Sequence, residues 1–340
     1  MKRAVILLSI LSFACSGVKG INTANPDASP EVKKLLTYLA RLPERQDNRV
    51  ISGQHAGALN RVPEIYDELV AGLHKETGKW VGLISVDYGQ WWQAEEPDRA
   101  LLNRTLLDYW NSGGLVSVSY HVKNPWTGGH SWEELPANLE ELITPGTGVN
   151  KVWMAELDRV AEALAELRDN GVVVLWRPFH EMTGDWFWWC TKAHPGNPEP
   201  FKKMWIHMFD YFTKTKKLDN LLWVYSASNR RDPPPDYCYP GDSYVDIVGQ
   251  DIYSDSAEVS GYENLLALGK PFCLSEFGKT IKNKDRPFDY LVLIEKIKHK
   301  YPDTIYWLSW DGPYSIARNL NAEALLNDPW VITRDELDWK

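Results

Sequence analysis

The chain has 340 residues, of which 44% are hydrophobic, so it is long enough to bury one large core. Its formal net charge of −9 disfavours nucleic acid and anionic lipid as partners, whereas a neutral carbohydrate is compatible with it. The 17 Trp and 16 Tyr outnumber the 9 Phe, which suits a cleft where flat rings stack on sugars, although core filling accounts for most of them.

The first 20 residues have the pattern of a secretory signal peptide. Lys2 and Arg3 precede an apolar run over residues 4–14 and a group of small residues. The apolar run is too short to span a bilayer, so we expect no transmembrane span. The segment Ala14-Cys15-Ser16-Gly17 resembles a bacterial lipoprotein signal, with Cys15 as the candidate lipid anchor. Simple cleavage near Gly20 is the alternative, and both predict a secreted or periplasmic protein, held at the cell envelope if Cys15 is lipidated.

Short apolar runs alternate with helical patterns over residues 21–340. Eight of the runs are predicted strands: 50–54, 81–86, 115–120, 172–176, 221–225, 245–249, 271–275 and 305–309. Their near-continuous apolar character indicates burial on both faces, as in a parallel sheet covered by helices. Eight such units predict an α/β fold of the (β/α)8 TIM-barrel type in a single domain. An open doubly wound sheet is the alternative, but no glycine-rich phosphate motif follows the first strand.

The cysteine and histidine residues show no metal-ligand spacing, so the sequence predicts no metal. Cys273 lies inside an apolar strand and is expected to be a buried thiol. Cys190 and Cys238 each lie just past a strand end. Because the protein is expected to be exported, a disulfide between these two residues is an alternative that the sequence leaves open.

Two carboxylates follow predicted strands at the point where each apolar run stops. Glu181 comes after the fourth strand and Glu276 after the seventh. In a parallel barrel the C-terminal ends of the strands meet at one mouth, where active sites form. Two Glu side chains from different strands can flank one glycosidic bond, one as proton donor and the other as nucleophile. A salt bridge from Glu181 to Arg177 and a helix N-terminal position for Glu276 are the structural alternatives.

Neighbouring residues suit the two roles. Trp186 follows Glu181 in the same loop, and an apolar aromatic surround raises the pKa of an acid. Tyr253, at the end of the sixth strand, is placed to donate its hydroxyl to Glu276. Arg177 is expected to point into the barrel and orient a carboxylate by a charge-assisted bond.

Further polar and aromatic side chains are expected at the same mouth. His121 closes the third strand and Trp126 follows it, so we expect His121 to contact substrate, while His55 at the first strand fits this role or a structural one equally. The remaining members of the predicted wall are Asp87, Tyr88, Trp91, Trp92, Trp307 and Trp310.

The two strand-end motifs resemble those of glycoside hydrolase family 26, one of the (β/α)8 retaining glycosidases. The resemblance covers about residues 50–310. It depends on Arg177-Pro-Phe-His180-Glu181 with Trp186, and on Ser275-Glu276-Phe277-Gly278; relatives outside the family mostly have Asn before the acid. It implies that Glu181 is the acid/base and Glu276 the nucleophile. It also implies that six residues line the sugar sites around the cleaved bond: His121, Trp126, His180, Trp186, Tyr253 and Trp310.

The resemblance implies a retaining endo-β-1,4-mannanase acting on mannan, glucomannan or galactomannan, with no cofactor. A minority of the family acts on β-1,3-xylan or mixed-linkage β-glucan, so these substrates are the nearest alternative. A catalytically silent glycan-binding protein is a third hypothesis. Such a protein need not keep both carboxylates, so the presence of Glu181 and Glu276 argues against it. The sequence leaves endo and exo attack open.

Overall fold

A computed structural model describes residues 21–89, 98–133 and 137–340. The predicted signal peptide, the candidate lipid anchor Cys15, and Trp91 and Trp92 lie outside the described residues. Within the described ranges, no helix has the length and apolar character needed to cross a membrane.

The strands form a closed parallel barrel. Its eight strands are β2 (Gly53–Ala58), β3 (Leu83–Asp87), β4 (Leu115–Tyr120), β5 (Val174–Pro178), β6 (Leu221–Ser228), β7 (Ile247–Tyr253), β8 (Phe272–Gly278) and β9 (Thr304–Ser309). Neighbours in this order pair in parallel, and the pairing of β9 with β2 closes the ring. Two short strands, β1 (Val50–Ile51) and β10 (Val331–Ile332), extend the sheet beside β9. The predicted TIM barrel is confirmed, and the open doubly wound alternative is wrong.

Helices occupy the segments between strands. They are α1 (Pro30–Arg41), α2 (Val62–Tyr66), α3 (Gly72–Thr77), α4 (Arg99–Asn111), α5 (Leu139–Ile143), α6 (Gly148–Asp169), α7 (Glu199–Asp210), α8 (Tyr262–Leu266), α9 (Leu291–Lys300) and α10 (Ala322–Leu326). The longest, α6, begins where the Thr147 hydroxyl accepts a hydrogen bond from the Asn150 amide, and Gly171 follows its end with φ +73°. Both are common helix-boundary signals.

Several barrel strands extend beyond the apolar runs that predicted them. Strand β5 continues to Pro178, β7 to Tyr253 and β8 to Gly278, so Glu276 lies within a strand rather than after it. Polar side chains interrupt the apolar pattern there, but backbone pairing continues, as in the register of Asp251 with Glu276. The predicted strand 50–54 is divided, because the barrel strand begins at Gly53 and residues 50–51 belong to β1.

Candidate active site

Glu276 lies in the barrel mouth with two hydrogen-bond donors on its carboxylate. Nη2 of Arg177 donates to Oε2 at 2.9 Å, and the Tyr253 hydroxyl donates to Oε1. The pKa of Glu276 lies above its usual value, because burial and the Asp251 carboxylate raise it, and Arg177 and Tyr253 offset only part of the rise by stabilising the ionised form. Because Arg177 contacts Asp251 and Glu276, the alternative pairing of Arg177 with Glu181 is not the arrangement observed.

Asp251 is the partner that the sequence analysis missed. Its Oδ2 accepts from Nη1 of Arg177 at 2.7 Å, and its Oδ1 accepts from the hydroxyls of Ser226 and Ser275 at 2.6 and 2.9 Å. The side chain is fully buried. Asp251 therefore fixes the guanidinium that binds Glu276. The signal in the sequence was an acidic residue two positions past the sixth predicted strand, residues 245–249, because an acidic residue that closely follows a buried apolar run needs a partner.

Glu181 follows β5 by three residues and has a different surround. Its Oε2 accepts a hydrogen bond from Nε1 of Trp186 at 2.7 Å. The residue keeps partial access to solvent. Burial of its carboxyl group and the negative charge of Glu276 raise the pKa of Glu181 well above its usual value. With one donor against two, Glu181 is the carboxyl of this pair that better retains a proton.

The backbone that presents Glu181 is strained. Phe179 and Glu181 have φ angles of +50° and +57°, a region that residues other than glycine seldom adopt. Phe179 is completely buried, and the Glu181 amide donates to the Ser226 carbonyl at 2.7 Å. Packing and this hydrogen bond hold a turn that points the side chains of His180 and Glu181 into the mouth, as is typical of functional sites.

His121 and His180 are brought into contact. Nδ1 of His121 lies 2.6 Å from Oδ2 of Asp87, and the two Nε2 atoms of the histidines lie 3.1 Å apart. Asp87 also accepts from the amides of Gly89 and His121 and from the Ser119 hydroxyl. Burial alone would raise the pKa of Asp87, but His121 and these hydrogen bonds hold it below its usual value. Burial and the charge of Arg177 lower the pKa of His180 well below its usual value.

The aromatic residues differ in where the structure places them. The Trp310 ring stacks on His55 with centroids 3.9 Å apart and lies 6.1 Å from the ring of His121. Trp126 is half-buried in the loop after β4, where its ring meets the edge of Trp188 at 5.6 Å. Contacts thus connect Trp310 and Trp186 with the predicted polar residues, while Trp126 lies on a neighbouring loop of the mouth.

Two members of the predicted wall belong to the core instead. Trp307 is completely buried in the middle of β9, and Tyr88 is completely buried with its hydroxyl on Asn103 of α4. The prediction that they line the mouth is wrong, because the run that holds Trp307 is buried throughout and Tyr88 faces the helix layer. Asp87, by contrast, contacts the predicted site residue His121.

The three cysteines of the described residues are buried free thiols. The bridge between Cys190 and Cys238 that the sequence left open is therefore not formed in this structure. The Cys190 thiol instead donates to the backbone carbonyl of Glu181, with 3.2 Å between sulfur and oxygen. Burial raises the pKa of Cys190, which suits a packed and unreactive thiol.

One group of side chains has the composition of a metal site. Atoms of His180, Asp251 and Glu276 that could bind an ion lie within 4.8 Å of one another. However, the guanidinium of Arg177 already contacts both carboxylates. A divalent cation would have to displace this buried positive charge, so the arrangement fits an ion-pair network better than a metal.

The geometry agrees with comparisons to known proteins. A sequence model described as glycosyl hydrolase family 26 matches residues 24–336. A mannan endo-1,4-beta-mannosidase of Bacillus subtilis is 35% identical over 353 residues, covering 99% of this chain and 97% of that protein. Mannan endo-1,4-beta-mannosidase A and B of Caldalkalibacillus mannanilyticus is 37% identical over 95% of this chain, which spans 64% of that relative.

A solved structure gives the same result for the fold. The structure of a Bacillus subtilis mannanase superposes with a TM-score of 0.86 at 34% identity, covering 93% of this chain and 96% of the other. The family match extends over nearly all the described residues, and it includes both strand-end motifs. This chain belongs to glycoside hydrolase family 26.

Proposed function

We propose that the chain is an endo-β-1,4-mannanase that hydrolyses internal bonds of mannan, glucomannan or galactomannan with retention of configuration. One observation carries the proposal: two carboxyl groups meet at the barrel mouth with unequal donors, Arg177 and Tyr253 on Glu276 but Trp186 alone on Glu181. The names of the relatives in Bacillus subtilis and Caldalkalibacillus mannanilyticus support mannan as the substrate.

The unequal donors assign the roles in the first step. Glu276, stabilised as a carboxylate, attacks the anomeric carbon and forms a covalent bond to the sugar. Glu181, which retains its proton, transfers that proton to the glycosidic oxygen as the bond from this oxygen to the anomeric carbon breaks. Arg177 and Tyr253 hold the carboxylate of Glu276 in position for the attack.

The second step reverses the proton transfer. Glu181, now a carboxylate, removes a proton from water while the water oxygen attacks the anomeric carbon. The bond to Glu276 breaks, and its carboxylate returns to the donors Arg177 and Tyr253. The proton taken from water replaces the one that Glu181 gave to the leaving group, and the product keeps the β configuration.

The surrounding side chains form the sugar sites in this proposal. The Trp310 ring, supported by His55, provides a flat platform for a pyranose, and His121 and His180 provide polar atoms beside it. Trp186 and Trp126 line the adjoining loops. Mannose differs from glucose by an axial 2-hydroxyl, and a site built to bond this group disfavours glucose strongly, because buried polar atoms would be left unpaired.

Activity on a panel of polysaccharides tests the proposal. We expect purified protein to release reducing ends from β-mannan or glucomannan faster, by orders of magnitude, than from cellulose, xylan or mixed-linkage glucan. A rapid fall in the viscosity of galactomannan would separate endo from exo attack. Faster hydrolysis of mixed-linkage glucan or β-1,3-xylan would contradict the mannan assignment, and binding without turnover would indicate the silent glycan-binding protein.

The same proposal includes export. Residues 1–20 act as a signal peptide ahead of one catalytic domain over residues 21–340. Cys15 is the lipid anchor if the lipoprotein signal is used. In support, residue 24 already belongs to the folded domain, since the Ala24 amide donates to the buried Asp246 carboxylate at 2.6 Å. Sequencing the N-terminus of the mature protein, with labelled fatty acid supplied to the cells, distinguishes lipidation at Cys15 from cleavage near Gly20.

A further inference from the structure

The hydrogen bond from Trp186 to Glu181 depends on the position of one indole ring. Nε1 of Trp186 lies 2.7 Å from Oε2 of Glu181, yet the ring itself is half-buried in a loop at the mouth. A ring that is free to rotate would lose this bond for part of the time. A lasting bond therefore needs neighbouring groups that restrict the rotation of the indole.

Gly184 supports one face of the ring. A Cβ atom added at Gly184 would lie 2.7 Å from Cη2 and Cζ2 of Trp186, so the indole rests directly on the glycine backbone. This backbone is itself fixed: the Gly184 amide donates to the Glu181 carbonyl at 2.7 Å, and the Gly184 carbonyl accepts from the amide and hydroxyl of Thr191.

Arg230 covers the ring from the loop after β6. Its guanidinium carbon lies 5.1 Å from the centroid of the Trp186 ring, within the range of a cation–π contact. Its Nη2 atom is 2.6 Å from Oδ1 of Asp185, the residue between Gly184 and Trp186. The side chains of Arg230 and Asp185 are 45% and 36% exposed, so both are accessible to solvent.

We propose that Arg230 is a positioning residue for the acid/base Glu181: held by Asp185, it presses the Trp186 indole onto Gly184 and keeps its N–H directed at the carboxyl group. A cation over the ring also withdraws electron density, which makes the indole N–H a stronger donor. The inference deepens the proposed function, on which it rests, because it concerns the group that controls how readily Glu181 donates its proton.

The expected effect follows from what Trp186 does to Glu181. A hydrogen bond from its N–H stabilises the ionised carboxylate and lowers the pKa of Glu181. Burial, Glu276 and Asp251 raise this pKa, while Arg177 lowers it; the Tyr253 hydroxyl and the Cys190 thiol are the other titratable groups facing Glu181. When Arg230 is removed, the indole bond weakens and the pKa of Glu181 rises.

Variants at two adjacent arginines provide the test. Arg230→Ala should lower kcat on mannan about two- to fivefold, the range expected for an exposed cation–π contact. The alkaline limb of the kcat/KM profile, which reports the acid, should move to higher pH. Arg230→Lys keeps a cation and should recover part of the loss. Arg231→Ala is the matched control, because Arg231 is the next residue and is exposed.

A double variant separates positioning from general destabilisation. In a Trp186→Phe background no indole N–H remains, so adding Arg230→Ala should leave the alkaline limb unchanged. Aryl mannosides with good leaving groups need little protonation and should be less affected than mannan. An effect of Arg230→Ala that persists in the Trp186→Phe background, or an unchanged alkaline limb in the single variant, would overturn the proposal.

Failure of the proposed function has a different signature. If the unaltered protein does not hydrolyse mannan, the mannan assignment fails, and the role of Arg230 is decided without turnover. Carbon-13 NMR titration of Glu181, assigned with Glu181→Gln, should show a higher pKa in Arg230→Ala than in Arg231→Ala. Equal pKa values in the two variants would refute the positioning role whatever the substrate.

Discussion

The Nε2 atoms of His121 and His180 lie 3.1 Å apart, and the remaining nitrogen of each ring has a different surround. Nδ1 of His121 is bonded to Asp87, whereas Nδ1 of His180 is buried and has no hydrogen-bond partner among the described residues. Because Asp87 is an acceptor, it places a proton on Nδ1 of His121. With one proton per ring, Nε2 of His180 then donates, and its buried Nδ1 is left as an acceptor without a partner among the described residues.

Asp87→Asn should therefore disturb the site through two histidines. Both oxygens of Asp87 accept hydrogen bonds, whereas the amide of Asn has one oxygen that accepts and one NH2 group that donates. If the NH2 group faces Nδ1 of His121, the proton of this ring must move to Nε2, and His180 must change its tautomer in turn. We expect kcat/KM on mannan to fall about 10- to 100-fold, the equivalent of ~1.4–2.8 kcal/mol of lost hydrogen bonding. Asp47→Asn, at an exposed position, is the control. Unchanged kinetics in Asp87→Asn would mean that Asp87 only supports the fold.

Replacing each of the two carboxylates proposed to be catalytic should give a different pattern. Glu276→Ala should abolish turnover of every substrate, because no other group can form the glycosyl-enzyme. Glu181→Ala should spare the first step for aryl mannosides with good leaving groups, which need no protonation, while activity on mannan collapses. Burst kinetics on such aryl mannosides measures that first step. Equal losses on both substrate types in Glu181→Ala would reverse or refute the two roles.

The stereochemistry of the product is a separate expectation for the same pair. Retaining enzymes hold their two carboxyl groups about 5–5.5 Å apart, and inverting enzymes hold them farther apart to admit water. Proton NMR of a manno-oligosaccharide digest should show the β-anomer first, with the α-anomer appearing only by mutarotation. Initial release of the α-anomer would exclude Glu276 as a nucleophile.

The sequence predicted the barrel because its strands are buried on both faces. In apolar runs of five or six residues, polar and apolar side chains do not alternate, so neither face of the strand can be exposed to solvent. The number and spacing of these runs therefore indicate a parallel sheet enclosed by helices. Glu181 and Glu276 stood out for the same reason, since a charged group at the end of such a run needs partners. Trp307 was wrongly predicted to line the mouth, because the sequence of an apolar run does not show which face of the sheet its Trp side chain occupies.

The partners of these carboxylates could not be predicted in the same way. Arg177 reaches Asp251 and Glu276 across 74 and 99 residues of chain, and the position of Arg230 over Trp186 depends on where two loops meet. Such pairings are set by the closure of the barrel and by side-chain direction, neither of which has a periodicity along the chain. Tyr253 was found because its strand adjoins that of Glu276.

The buried Asp246 should make stability depend on pH. Its carboxylate accepts from the amides of Ala24 and Trp223, but burial outweighs these bonds and raises its pKa to about 6. The folded state then favours the protonated form more than the unfolded state does. Its contribution to stability is full below about pH 4 and is lost as the pH rises through 6, a loss of about 3 kcal/mol.

Urea denaturation between pH 4 and pH 8 measures this effect. Asp246→Asn removes the titrating group, so its free energy of unfolding should vary less with pH over this window than that of the unaltered protein. The exposed Asp47→Asn should keep the original dependence. The same slope in Asp246→Asn and in the unaltered protein would show that other groups set the pH dependence.

Removing the Tyr253 hydroxyl should move the acid limb of the pH profile. This hydroxyl donates to Oε1 of Glu276 and thereby lowers the pKa of the carboxyl. In Tyr253→Phe the ionised form loses one of its two donors, so the pKa of Glu276 rises and a higher pH is needed to form the nucleophile. The acid limb of kcat/KM should therefore shift upward, while the alkaline limb, which reports Glu181, should move much less.

Tyr314→Phe is the matched control, because the ring of Tyr314 packs against Tyr253 at 5.2 Å. An acid limb that stays in place in Tyr253→Phe, or that moves equally in Tyr314→Phe, would show that packing rather than hydrogen bonding controls the ionisation of Glu276.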